Sequence, residues 1–470
     1  MEFALDGGRV NGDFIDNVAG VDTSDREVNI KILLAAAEAD GALARADRDA
    51  ALAAAADEVA AAVLEDCAQQ ALAISLAESH APFLVDRHAR LMRHLEQVHG
   101  MDRALEVLPD ESGLAARAGR GKGLTRPEIA VLLAHSKNVV RNDLLASEVP
   151  DHAVFGSVLR DYFPASLRDR FVEWIGGHRL AREIIATVLA NDLINHMGPG
   201  FVLRLEERLG AGSPEVTIAL ATVRAVLDTD ALWRTVSSLP AMSADGQRRV
   251  LRRVQEHVEQ AASWFVRRRG FALDPAAERE LLHEAIVPVR RHLADLADPA
   301  EVKSLLTEGL PGGLAQTVAT LDTLIQALDA VDLAIRLRLP VTEVVDAALA
   351  VDGELELGFL RPGLADVAGA SHWESMAIVA LRDDLGAARR AVLEHALEEG
   401  PETASPTDRV KSWLERRAGP FERLHTTIAE LKSCRRLDIA MLCTVVCELR
   451  HLAQSGLAPA HPTVTGRTIR

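Results

Sequence analysis

From about Asp47 onward, apolar residues recur every three to four positions almost without interruption, which is the period of helices that bury one face. Ala50–Glu78 reads as one long Ala-rich helix that stops before Pro82, and Arg87–Val98 repeats the pattern at Leu91, Leu95 and Val98. Thr125-Arg126-Pro127-Glu128 predicts a helix start: Thr125 is a capping residue, Pro127 suits the first turn, and Glu128 completes a capping box. Further helices are predicted over Arg168–Trp174, Arg179–Met197, Glu215–Leu227, Gln247–Arg268, Ala276–Leu296, Glu301–Glu308, Leu314–Leu339, Glu374–Glu398 and Phe421–Leu452. Gly and Pro clusters such as Pro311-Gly312-Gly313 and Gly419-Pro420 separate them, and Ser405-Pro406 is another helix-start signal. No fixed repeat length emerges, so the pattern does not support a helical solenoid. The tail from Ser455, rich in Gly, Pro and Thr, reads as disordered.

The beginning is different. Arg9–Ile15 (RVNGDFI) follows Gly7-Gly8 and holds the β-formers Val10, Phe14 and Ile15, which predicts a strand. A turn-rich DNVAGVDTSD comes next, and then REVNIKILLAAAEAD, a helix with Val28, Ile30, Ile32, Leu33 and Leu34 as its apolar positions. Strand, polar turn, helix is the opening of an α/β unit. A single strand has no stability without neighbours, and no clear second strand follows, so the chain reads as starting inside a domain. The predicted fold class is mainly α: a long multi-helix region preceded by a short α/β remnant. The expected divisions are 1–40, the remnant; 41–454, the helical region; and 455–470, the tail.

Composition narrows the function classes. The formal net charge of -17 argues against nucleic acid and against an anionic membrane surface as partners. Only 4% of residues are aromatic, so the cores are expected to be built from Leu, Ala, Val and Ile. MEFALDGGRV has neither a basic start nor an apolar stretch of a signal peptide, and a cytoplasmic location is the expectation. The four cysteines, with Cys443 and Cys447 one helical turn apart and Cys434 before them, read as buried free thiols rather than a disulfide or zinc framework.

Three constellations hold candidate chemistry. Asn17–Ser24 (NVAGVDTS) is a turn of small residues with hydrogen-bonding groups at both ends, placed after the predicted strand where α/β sheets bind ligands. Ser24 followed by Glu27 also fits a capping box, so Ser24 caps a helix, contacts a ligand, or does both. Arg179-Leu-Ala-Arg-Glu183 with Asn191, Asn195 and His196 reads as a structural network between helices, Arg179 and Glu183 forming an i, i+4 pair. The basic runs Arg248-Arg249, Arg252-Arg253 and Arg267–Arg269 read as a solvated helix face, with an anionic effector site as the minority alternative. The Gly119–Gly123 run (GRGKG) lacks the preceding strand and the closing GK[ST] of a phosphate loop. No histidine, cysteine or carboxylate spacing argues for a metal.

The string GGRVNGDFIDNVAGVDTSDREVNIKILL (Gly7–Leu34) resembles a segment of the large NAD-dependent glutamate dehydrogenases. GLTRPEIAVLLAHSK (Gly123–Lys137), RDYFPASLRDRF (Arg160–Phe171) and HRLAREIIATVLANDLINHMGPGF (His178–Phe201) resemble further family segments. Gly12, Val18, Thr23 and Arg26 depart from the family pattern, whereas Asn17, Gly20 and Ser24 keep it. The resemblance implies an enzyme that converts L-glutamate, NAD and water to 2-oxoglutarate, ammonia and NADH. It implies that Asn17 and Gly20 lie at the cofactor, and that Ser24 and Val21 contact the substrate, Ser24 at its side-chain carboxylate. The family's catalytic lysine and aspartate and its dinucleotide fingerprint would lie in an upstream module, so no catalytic residue is assigned in this chain. NAD would be bound mainly by that upstream catalytic half, and the chain alone is expected to be inactive. The remaining expectations are a homo-oligomer and, as the alternative function, an independent helical interaction, regulatory or oligomerisation module.

Overall fold

The computed structural model describes residues 1–366, 372–434 and 436–455, and these are arranged almost entirely as helices. Two compact units are present. One comprises residues 1–283 and 299–318, the other residues 284–298 and 319 onward. The expected tail lies, from residue 456, outside the described residues.

The predicted α/β remnant does not exist: no strand occurs among the described residues. Gly12 adopts φ +113, a conformation that favours glycine, and turns the chain into the short helix Asp13–Asp16. The Asn11 amide N–H and side-chain Nδ2 both donate to the Asp16 carboxylate (3.1 and 2.6 Å), which closes this turn locally and leaves no extended segment. The stretch expected as a loop is also helical. Helix α1, Val18–Ala39, begins with Asn17 at its N-cap and runs straight through Thr23 and Ser24. Both hydroxyls donate backwards within the helix, Thr23 to the Ala19 carbonyl (2.7 Å) and Ser24 to that of Gly20 (3.2 Å). A polar, turn-forming composition is therefore compatible with helix when side chains bond their own preceding turn.

Helix α2, Arg45–Glu78, is the long Ala-rich segment, sustained by the residue type of highest helix propensity. By length and composition alone it is apolar enough to cross a membrane. Within the first unit it packs against α1 and against helix α3, Arg126–Leu145, and buries Ala55, Val63, Ile74 and Leu76. Helix α3 is the centre of this unit; Ile129, Leu132 and Leu133 are fully buried. Its predicted start is observed: Glu128 accepts the Thr125 amide N–H at 2.7 Å and binds Arg117 through both oxygens (2.6 and 2.8 Å). Of the preceding glycines, Gly123 serves packing, because a Cβ there would lie 2.2 Å from the Ala81 backbone. Helix α5, Ala181–Met197, packs on α2, on α3 and on helix α4, Gly156–Tyr162, whose last residue reaches α1. Arg182 ties the start of α5 to the end of α3, donating to the carbonyls of Leu145 (3.0 Å) and Ser147 (2.9 Å), so the two helices run antiparallel.

The second unit is built on helices α6, Leu321–Leu337; α7, Val341–Glu354; and α8, His372–Glu399. Pro406–Glu415 and Ile439–Gln454 pack on α8. Ser405 caps Pro406–Glu415 as its sequence predicts, accepting the Asp408 amide at 3.2 Å. The single helices expected over Leu314–Leu339 and Phe421–Leu452 are each divided, the first at Thr320 and the second into one helix that ends at Ser433 and one that starts at Ile439.

Candidate functional site

Helix α1 has two polar faces with different fates. Asn17, Gly20, Val21 and Ser24 recur at intervals of three to four, so the helical turn gathers the four sequence-predicted residues on one side. All four are exposed, and Val28 continues the line one turn further. Val21 is 62% and Val28 51% exposed, and Phe14 just before the helix is also exposed. The Ser24 hydroxyl gives its one proton to the Gly20 carbonyl (3.2 Å), so a carboxylate ligand has to draw that O–H away from the helix. Ser24 does not cap α1; that position belongs to Asn17, whose side chain makes no capping bond.

The opposite polar face, Asp22, Arg26 and Asn29, points into the unit. Arg26 binds Asp66 of α2 (2.5 Å) and Asp22 (3.3 Å), reaches the Tyr162 carbonyl (3.5 Å), and lies over the Tyr162 ring at 5.0 Å. Asn29 donates its side-chain N–H to the Tyr162 hydroxyl (2.9 Å), and its carbonyl meets His178 Nε2 (3.1 Å). Burial lifts the Asp22 carboxyl to about 6, with nearby Asp66 adding to the rise and Arg26 opposing it. Burial also draws the Lys137 ammonium of α3 down to about 8, against the pull of Asp66. No ion pair or hydrogen bond joins Lys137 directly to another described residue. Burial raises the Tyr162 hydroxyl as well.

A second set of contacts sews the N-terminal segment to α3. Arg126, buried at the first position of α3, donates to Asn11 Oδ1 (2.8 Å), Ser75 Oγ (3.0 Å) and Glu78 Oε2 (2.6 Å). The sequence singled out the LTRPE motif for its capping and missed this arginine, whose partners lie 48 to 115 residues away.

The other constellations are structural. In the second, Arg182 rather than Arg179 is the organising residue, and Arg179 is exposed. His196 and Arg224 both bind Asp192, and although burial pushes that carboxyl up, the two partners hold it below the usual range. Asn195 is buried with its Oδ1 unpartnered. In the third, Arg248, Arg249, Arg252, Arg253 and Arg269 pair with Asp245, Glu308, Glu256, Glu301 and Glu278, so most of the basic run is already neutralised. The cysteines are free but not buried: Cys434 and Cys443 are exposed, and Cys67 and Cys447 half-buried. On Ile439–Gln454 the buried stripe is taken by Leu442, Val445, Val446, Leu449 and Leu452, which turns Cys443 outward. Among the described residues no three His, Cys, Asp or Glu converge on a metal position.

The family described as "Glutamate dehydrogenase, C-terminal" matches residues 121–451, and "Bacterial NAD-glutamate dehydrogenase, catalytic domain" matches residues 1–77. The chain is 35% identical over 468 residues to the NAD-specific glutamate dehydrogenase of Pseudomonas aeruginosa, covering 97% of this chain and 29% of that protein. It is 32% identical over 464 residues to the NAD-specific glutamate dehydrogenases of Mycobacterium tuberculosis and Halomonas elongata, again over 97% of this chain and 28% and 29% of theirs. The chain thus spans less than a third of the length of these curated relatives. Residues 1–77 and the helices from α3 through α5 nevertheless share one compact unit, joined by the contacts of Arg26 and Asn29 to Tyr162 and of Arg126 to Asn11.

Proposed function

The chain belongs to the NAD-specific glutamate dehydrogenase family, and from that membership we propose that it serves the oxidative deamination of L-glutamate. In that reaction glutamate, NAD and water give 2-oxoglutarate, ammonia and NADH, the hydride leaving the substrate α-carbon for the nicotinamide. The contribution of this chain is the outward face of α1. Ser24 turns its O–H from the Gly20 carbonyl and donates it to the substrate side-chain carboxylate, Val21 lines the same pocket, and Asn17 and Gly20 face the nicotinamide end.

The observation that carries this reading is the convergence of those four residues on one exposed, partly apolar helix face within the stretch that matches the catalytic domain. An exposed apolar line is what a partner surface covers. The described residues contain no strand and no glycine turn leading from a strand into a helix, so they do not fit the whole dinucleotide. NAD is held mainly by a catalytic module of the kind the longer relatives carry, which is the partner proposed for this face. The helix-dipole contribution expected for Ser24 is not available, because Ser24 lies in the second turn and Asn17 occupies the terminus. Hydrogen bonding and charge from that module supply the anion's remaining contacts. Self-association and a cytoplasmic location complete the proposal.

Two measurements test it. The purified chain, given L-glutamate and NAD, forms no NADH; turnover above background would overturn the need for the partner module. In the active enzyme that includes this stretch, Ser24→Ala raises the glutamate KM about tenfold, the loss of one hydroxyl bond to a charged group. An unchanged KM would remove Ser24 from the site.

A further inference from the structure

Only the C-terminal half of α1 is fastened by apolar burial. Its buried residues are Ile30, Leu33, Leu34 and Ala37, and no residue from Val18 to Asn29 is buried. The half that carries Asn17, Gly20, Val21 and Ser24 is therefore oriented by other means. The polar contacts reaching the neighbouring helices from it are Arg26 to Asp66 on α2, Arg26 to the Tyr162 carbonyl, and Asn29 to the Tyr162 hydroxyl on α4. Arg26 and Asn29 sit one turn apart on one side of the helix. Two pins so placed fix rotation about the helix axis, and with it the direction in which the opposite face looks.

We propose that Arg26, Asp66, Asn29 and Tyr162 are positioning residues for glutamate dehydrogenation, setting the azimuth of the α1 face from within the helical region. The inference rests on the reading of that face given above. It also assigns a role to the region that matches the family's C-terminal part: Tyr162, which belongs to it, aims a helix that matches the catalytic domain. A pin acts through geometry, so its loss weakens substrate binding more than it unfolds the chain, because the apolar half of α1 stays docked.

The network also titrates. Asp22 is faced by Arg26 on its own helix, by Asp66 and Cys67 on α2 and by Tyr162 on α4, while Lys137 on α3 feels Asp66 and Asp25 feels Tyr162. Asp22 loses its charge as pH falls through about 6, leaving Arg26 held on the Asp66 side alone.

The test uses the active enzyme that includes this stretch. Tyr162→Phe keeps the ring and removes the hydroxyl; Arg26→Lys keeps the charge and removes the two-sided reach. Each is expected to raise the glutamate KM about three- to tenfold with kcat within about twofold and helix melting unchanged. The wild-type KM is expected to rise below about pH 6, and Asp22→Asn to hold the elevated KM at all pH values. A fall in melting temperature and kcat with KM unmoved would make these residues structural and overturn the inference. Ser24→Ala separates the two readings. If it raises KM while Tyr162→Phe and Arg26→Lys do not, positioning fails alone. If it is silent while the pins move KM, the pins stand and the assigned face is wrong; silence from all three sinks both.

Discussion

Arginine–aspartate clusters occur in both units, and their settings differ. In the second unit Arg389 and Arg390 of α8 have side chains only 5% and 7% exposed. Arg389 holds both oxygens of Asp352, one at 3.1 Å, and donates to the carbonyls of Gln326 (2.9 Å) and Ala348 (3.3 Å). Arg390 binds Asp329 (2.8 Å) and Asp332 (2.7 Å) across α6. Buried Val344, Val345, Val392 and Leu393 lie on the same helices. In the first unit Arg26 serves a helix half with no buried residue; beside it stands the Asp22 carboxyl lifted by burial, and its partner Asp66 also faces the Lys137 ammonium, which burial lowers. The first arrangement matches charges inside a core. The second keeps charges that the fold would be more stable without, which is the pattern expected where function sets the residue.

The sign of a charge-removing substitution distinguishes them. Arg389→Ala leaves the largely buried Asp352 carboxylate with Arg361 (3.2 Å) as its remaining partner and should cost about 2–4 kcal/mol in urea unfolding of the second unit. A loss below about 1 kcal/mol would mean that water reaches the cluster, and the contrast between the two would collapse. Lys137→Met should act in the opposite direction. Its ammonium is lowered from 10.5 to about 8, so the folded chain holds that proton less well than the unfolded chain. The stability this group contributes is complete only above 10.5 and is lost as pH falls through about 8. At neutral pH, replacing it by an apolar side chain of similar length should raise stability by up to about 3 kcal/mol, from the size of the shift. A destabilised Lys137→Met chain would show that the ammonium has a partner in solution and is part of the structural frame.

These clusters also mark how far sequence reading reaches. The Thr125–Glu128 box and the Ser405 cap were legible because their partners lie within three residues. The choice of Asn17, Gly20, Val21 and Ser24 followed from the family resemblance, while their helical setting was not legible: Gly, Asp, Thr and Ser read as a turn, whereas in the helix the two hydroxyls bond the carbonyls of their own preceding turn. The strand over Arg9–Ile15 failed for a related reason. Phe14 and Ile15 are adjacent and do not alternate, and Asn11 closes on Asp16 instead of meeting a neighbouring strand. The positioning network was invisible because Arg26 lies 40 residues from Asp66 and 136 from Tyr162. No local period connects such positions.

The smallest of the three stability effects tests the network at its most delicate point. Burial raises Asp22 from 3.8 to about 6, so between these values the folded chain binds more protons than the unfolded chain. Stability must therefore fall as pH rises across that window, being greatest below 3.8 and fully reduced above about 6. The shift corresponds to roughly 3 kcal/mol, which screening at a side chain 22% exposed brings down to about 1–2 kcal/mol. Asp22→Asn should remove that slope and leave the neutral-pH chain more stable by the same amount. The substituted chain would then be firmer yet bind glutamate less well in the active enzyme, because Arg26 has lost one of its two carboxylates. A slope that survives the substitution would place the titrating group elsewhere, with Asp66 the next to replace.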